Sequence, residues 1–81
     1  MNNNEKYKKV FLESLSIDQS SFNEELKYNE IPEWDSIGHM TLISNLESEF
    51  NISIDIDDVL NYGSFKKGVE LLKKYNIQTE R

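Results

Sequence analysis

Hydrophobic and polar positions along this chain recur mainly with a helical period. Tyr7, Val10, Phe11 and Leu15 fall at i, i+3, i+4 and i+8 opposite Lys6, Lys8, Lys9 and Glu13, which predicts an amphipathic first helix capped by Asn4. The connection over residues 16–33 is long for a structureless loop in a compact domain, so local structure is expected in it. Ser21-Phe22-Asn23-Glu24 has capping-box spacing, and Phe22 with Leu26 would anchor a short helical turn to the core. Pro32 then biases Ile31 away from helical dihedrals and offers no N–H, keeping the approach to Trp34 extended.

Asp35 is the natural N-cap of a second helix, which runs to about Phe50. Ile37, Met40, Ile43, Leu46, Glu47 and Phe50 trace its inward stripe, apolar except for Glu47, with Ser36 at the rim. Gly38, His39, Thr41, Asn45, Ser48 and Glu49 are then exposed, and Leu42 sits at the border. Residues 51–56 alternate in a strand-like period, but no partner strand is available. A short third helix over residues 56–62 is expected instead, capped by Asp55, with Asp57 and Asp58 in its first turn and Gly63 ending it. Ser64 caps a fourth helix whose core face is Phe65, Val69 and Leu72 with Leu71 beside it; Gly68 weakens it slightly, and Lys73 and Lys74 suit its C-terminal end. The expected architecture is an all-α, four-helix bundle: three main helices, a short third one and a long first loop. It forms a single domain over residues 1–81, with a core over about 4–75 and a frayed tail over 76–81.

Composition narrows what such a bundle can do. Eighty-one residues leave little room for a deep enclosed active site, and the absence of cysteine excludes disulfides, thiolate ligands and a thiol nucleophile. No apolar run approaches the roughly 20 residues that span a bilayer. The polar start Met1-Asn2-Asn3-Asn4 does not read as a signal peptide, so a cytoplasmic location without membrane association is expected. The net charge is −6, and residues 28–65 hold Glu30, Glu33, Asp35, Glu47, Glu49, Asp55, Asp57 and Asp58 with no Lys or Arg. Such a segment repels nucleic acid and attracts basic protein surfaces.

The candidate chemistry centres on Trp34-Asp35-Ser36-Ile37-Gly38-His39-Met40. A helix starting there offers free N–H groups and a partial positive charge to an anion held on the serine oxygen. Ser36 and His39 lie at i and i+3, but a catalytic pair also needs a cleft and an acid to orient the base, which argues against hydrolase chemistry. One histidine without cysteine excludes ordinary zinc sites, and Asp55-Ile56-Asp57-Asp58 lacks the loop of an EF-hand, so no metal site is expected. Ser36 therefore reads as a point of attachment, with no catalytic residue in the chain, and His39 as a surface residue.

Asp35-Ser36-Ile37, Leu46-Glu47-Ser48-Glu49-Phe50-Asn51-Ile52 and Ile54-Asp55 resemble the acyl carrier protein family, in which a DSL motif precedes a helix ending in a similar E-x-E-F segment. The likeness extends over nearly the whole chain and is most specific over residues 34–65. It implies that a separate phosphopantetheinyl transferase moves 4′-phosphopantetheine from coenzyme A to Ser36, and that the terminal thiol of the arm carries an acyl group as a thioester. It further implies that Asp35 helps the transferase recognise the serine, with Ile37 partly buried beside it. The docking face for enzymes with basic surfaces would be Gly38, His39, Leu42, Asn45, Glu47 and Glu49, with Glu30 and Glu33 adding charge. Gly38-His39 replaces the acidic residue usual in fatty-acid carriers, and the Gly-Gly-His-Ser pattern of peptidyl carriers is absent. Together these resemble discrete carriers of specialised pathways with an acyl or hydroxyacyl cargo. The expected function is thus a free-standing, monomeric, non-enzymatic acyl carrier. The alternative is a small acidic helical interaction module in which Asp35-Ser36 is an ordinary capping pair.

Overall fold

The computed structural model describes residues 2–77. Its helices are α1 (Asn3–Leu15), α2 (Ser36–Phe50), α3 (Ile56–Asn61) and α4 (Phe65–Lys74), with one 3₁₀ turn at Gln19–Ser21 in the long first connection. The described residues form no strand, only an isolated antiparallel bridge between Lys27 and Ser64, and the alternating stretch after α2 is an extended connector. None of these helices is long and apolar enough to cross a membrane.

The buried face of α1 is Tyr7, Val10, Phe11 and Leu15, as its period predicts. Its cap is Asn2 rather than Asn4: the Asn2 Oδ1 accepts from the Glu5 N–H at 2.8 Å. A run of asparagines offers several equivalent caps, and starting earlier adds a backbone bond from the Lys6 N–H to the Asn2 carbonyl at 3.0 Å. In the first connection the Ser21 capping box does not form. Asp18 caps the 3₁₀ turn, and the Asn23 Oδ1 accepts from the Glu25 N–H at 2.8 Å in a second turn. Leu26 is nevertheless buried, and Phe22 packs against the core, so the hydrophobic anchors hold although the polar ones move.

Three helices close alike. Ser16, Asn51 and Asn76 take left-handed φ values of 55°, 55° and 67°. The isoleucine after each returns its N–H to the preceding turn: Ile17 to Leu12 at 3.1 Å, Ile52 to Glu47 at 3.1 Å and Ile77 to Leu72 at 2.9 Å. Asparagine tolerates this conformation and the isoleucine packs on the core, which satisfies carbonyls that a helix end leaves open. Residues 76 and 77 therefore close α4 by hydrogen bonds instead of fraying, with Ile77 packed on the core; the rest of the expected frayed tail, residues 78–81, lies outside the described residues.

Phe11 is the hub of the core, with ring centroids of Phe65 at 4.9 Å, Trp34 at 5.0 Å, Phe22 at 5.9 Å and Tyr7 at 6.2 Å. The Tyr7 hydroxyl donates to the Phe65 carbonyl at 2.7 Å, so it accepts from Tyr62, also at 2.7 Å. Burial raises both phenols above their usual range, which keeps this pair un-ionised. Gly68 lies directly against the Tyr7 and Tyr62 side chains, and a Cβ there would overlap them. Its place in α4 is thus a close approach, a function that its low helix propensity does not suggest. Val69, expected on the core face of α4, is only partly buried, while Phe65, Gly68, Leu71 and Leu72 form that face.

Asp55 is the N-cap residue of α3, but its side chain makes no capping bond. Tyr75 instead holds the start of α3 from outside, its hydroxyl accepting from the Asp55 N–H at 3.0 Å and donating to Asp58 at 2.7 Å. Lys74 adds an ion pair to Asp58 at 3.0 Å. α3 ends at Asn61, and Gly63 does not take a left-handed conformation; buried Tyr62 turns the chain into α4, which Ser64 caps through the Lys67 N–H at 3.1 Å.

Candidate functional site around Ser36

Ser36 is the first residue of α2 and is exposed. Asp35 caps the helix as its sequence position predicts, with its Oδ1 accepting from the Gly38 N–H at 2.9 Å while its carbonyl accepts from the His39 N–H at 2.8 Å. Among the described residues no acceptor takes the N–H groups of Ser36 and Ile37, so these donors remain open at the positive end of the helix beside the serine oxygen. The Ser36 hydroxyl lies 3.2 Å from the Tyr28 hydroxyl.

The orientation of α2 differs from its expected stripe. Ile37 is 78% exposed and Met40 56%, whereas His39, Leu42, Ile43 and Leu46 are buried. Apolar residues occupy more than one face of α2, so periodicity alone leaves its rotation open. The fully buried Trp34 settles it by drawing the His39 face inward. An indole N–H can only donate, so its 3.0 Å contact makes His39 Nδ1 an acceptor and places the ring proton on Nε2. Nε2 then donates to the Val59 carbonyl at 2.9 Å, joining the site loop, α2 and α3 through one imidazole. With both nitrogens engaged, His39 is neither a surface residue nor a base directed at Ser36.

The proposed docking set is correspondingly divided. Leu42 is fully buried, and Gly38 is half-buried against the Glu33 carbonyl, where a Cβ would collide with backbone. Leu42 is thus not available as a contact surface, and Gly38 offers only a partly covered stretch of backbone. Glu47 is half-buried and clips the connector after α2, accepting from the Ile54 N–H at 2.8 Å. Asn45 is exposed but donates to Ser14 Oγ at 2.8 Å, and Glu49 is exposed with Lys6 at 3.7 Å, so both lie at the α1 side of α2.

Beside Ser36 the structure instead opens a mostly apolar cleft of about 320 Å³ between α2 and α3. Tyr28, Met40, Ile56 and Leu60 form its sides, and His39, Val59 and Tyr62 its base. Together with Ile37, the four side residues are the exposed large hydrophobic residues of the described structure. Sequence reading did not single out Tyr28, Ile56 or Leu60 as functional, and it placed Met40, within the stretch around Ser36, on the inward stripe of α2. The one signal was a surplus: Ile37 with Met40 and Ile56 with Leu60, at helical spacings, are more apolar residues than a single inward face requires. Comparison with protein-family models, with curated proteins and with solved structures gives no match.

Proposed function

We propose that this chain is an acyl carrier with Ser36 as the attachment point of 4′-phosphopantetheine. The observation that carries the reading is the setting of that hydroxyl: exposed, on the first residue of α2, beside open N–H donors and next to an apolar cleft. A phosphodiester on Ser36 Oγ would place its negative charge at the helix N-terminus, a favourable position for an anion. When bound, the arm supplies the thiol that a chain without cysteine lacks and holds an acyl group on it as a thioester. Loading forms a bond from Ser36 Oγ to phosphorus, breaks the bond to the nucleotide half of coenzyme A, and sends the serine proton to a base of the transferase.

The chain's own part is recognition and presentation. Asp35 fixes the start of α2 and hence the direction of the serine, and Trp34 and His39 lock that start to α3. Exposed Ile37, Met40, Ile56 and Leu60 form the apolar centre of a contact surface, and the acidic residues 30–35 and 55–58 carry the charge that steers basic enzymes towards it. The same surface supports the alternative of an interaction module without a prosthetic group, and Ser36 separates the two readings. Incubation with coenzyme A, magnesium and a promiscuous phosphopantetheinyl transferase should add the mass of one arm to the wild type and nothing to Ser36→Ala. Absence of the gain, or its persistence in the variant, overturns the proposal.

A further inference from the structure

Among the described residues the Tyr28 hydroxyl has a single hydrogen-bonding neighbour, the Ser36 Oγ at 3.2 Å. Its position is not that of a loose surface ring. Its backbone N–H donates to the Gly63 carbonyl at 2.9 Å, and the N–H of Asn29, at a left-handed φ of 66°, donates to the Trp34 carbonyl at 2.9 Å. The ring stands edge-on to His39 at 5.3 Å and to Trp34 at 6.1 Å between centroids, both of them buried. The tight turn therefore holds the phenol over the first residue of α2 from outside that helix.

In the unmodified protein either hydroxyl of the pair can donate. Once Ser36 Oγ bears a phosphoryl group its hydrogen is gone, and the Tyr28 O–H is the one donor left in the pair. The bridging Oγ becomes a weak ester acceptor, whereas the anionic non-bridging oxygens on the same phosphorus accept more strongly than a neutral serine oxygen, so the Tyr28 O–H turns from Oγ to one of them in a stronger hydrogen bond. We infer that Tyr28 is the positioning residue for a phosphodiester on Ser36, donating to it from the loop side while the Ser36 and Ile37 N–H groups face it from the helix. It thereby sets the direction in which the arm leaves the serine, with Met40 and Leu60 of the cleft nearby.

This inference rests on the attachment proposed above, and one experiment separates the two. Full-length wild type and Tyr28→Phe are treated with coenzyme A, magnesium and a promiscuous transferase, and the species with the added mass are isolated and compared by phosphorus NMR. The phosphodiester resonance should differ in chemical shift between them and relax more slowly in Tyr28→Phe, with the amide resonances of Ser36 and Ile37 shifted as well. Within the wild type alone, loading should move the Tyr28 ring Cζ resonance and leave that of buried Tyr7 in place, which needs no variant to fold. Superimposable phosphorus spectra, or an unmoved Tyr28 Cζ in loaded wild type, overturn the role of Tyr28 while leaving the attachment intact. No mass gain in the wild type overturns both.

Discussion

Gly38 and His39, neighbours on the first turn of α2, show how single residues fix the site without touching a ligand. Substituting alanine for an exposed helical glycine ordinarily stabilises by about 1 kcal/mol through helix propensity. At Gly38 the new Cβ would meet the Glu33 carbonyl, a backbone atom that cannot rotate away, and forced overpacking costs about 1–3 kcal/mol. Gly38→Ala should therefore lower Tm in thermal unfolding; a raised Tm would show that the loop yields freely. His39→Leu fills the buried position with an apolar side chain but leaves the buried indole N–H of Trp34 without an acceptor, at a cost of about 1–3 kcal/mol. Urea unfolding should detect that loss, and an unchanged midpoint would contradict the hydrogen-bonded link.

Among the elements, α3 depends most on what surrounds it, because its six residues are too few to hold a helix alone. Its support comes from the end of α4, through Tyr75 and Lys74 on Asp58, and the Tyr75 hydrogen bond followed by that of Lys74 lowers the Asp58 carboxyl below its usual value of 3.8. The sign follows from linkage: the folded state binds this proton less readily than the unfolded one, so the contribution is complete above the ordinary carboxylate range and is lost as pH falls through the lower folded value. The Tm difference between wild type and Asp58→Asn should accordingly be greatest near neutral pH and shrink on acidification. A difference that stays constant in acid would contradict this account of Asp58.

Much at this scale was legible beforehand. The existence and order of the helices, the inner face of α1 and the caps at Asp35 and Ser64 follow from local pattern, because short-range propensity and capping decide them. The rotation of α2 was not legible, since its register depends on a hydrogen bond from Trp34 that no period encodes. For the same reason Ile37 was expected on the inward stripe, His39 on the exposed face and Leu42 at its border, whereas Ile37 is exposed and His39 and Leu42 are buried. The helix ends at Asn51 and Asn76 did carry a readable sign, a left-handed-tolerant residue followed by isoleucine, whereas Ser16 did not. The cleft beside Ser36 needs two helices and a loop to be placed together, and only its surplus of apolar residues shows in the sequence.

For the molecule as a whole, charge and apolar surface are arranged about one point. The net charge of −6 is concentrated in residues 28–65, while lysines lie mainly on α1 and α4, and the exposed large hydrophobic residues gather at Ser36. Leu60, 76% exposed at the edge of the cleft, tests whether that gathering serves recognition. Leu60→Ser should change stability by no more than about 0.5 kcal/mol, as for an exposed site, yet slow loading by the transferase. Equal loading rates would remove Leu60 from the contact surface. The central claim is tested most directly by fragmenting the loaded protein in a mass spectrometer and locating the added group. The account predicts a single phosphopantetheine on Ser36; an unmodified Ser36, whether the group lies on another residue or is absent, would contradict it.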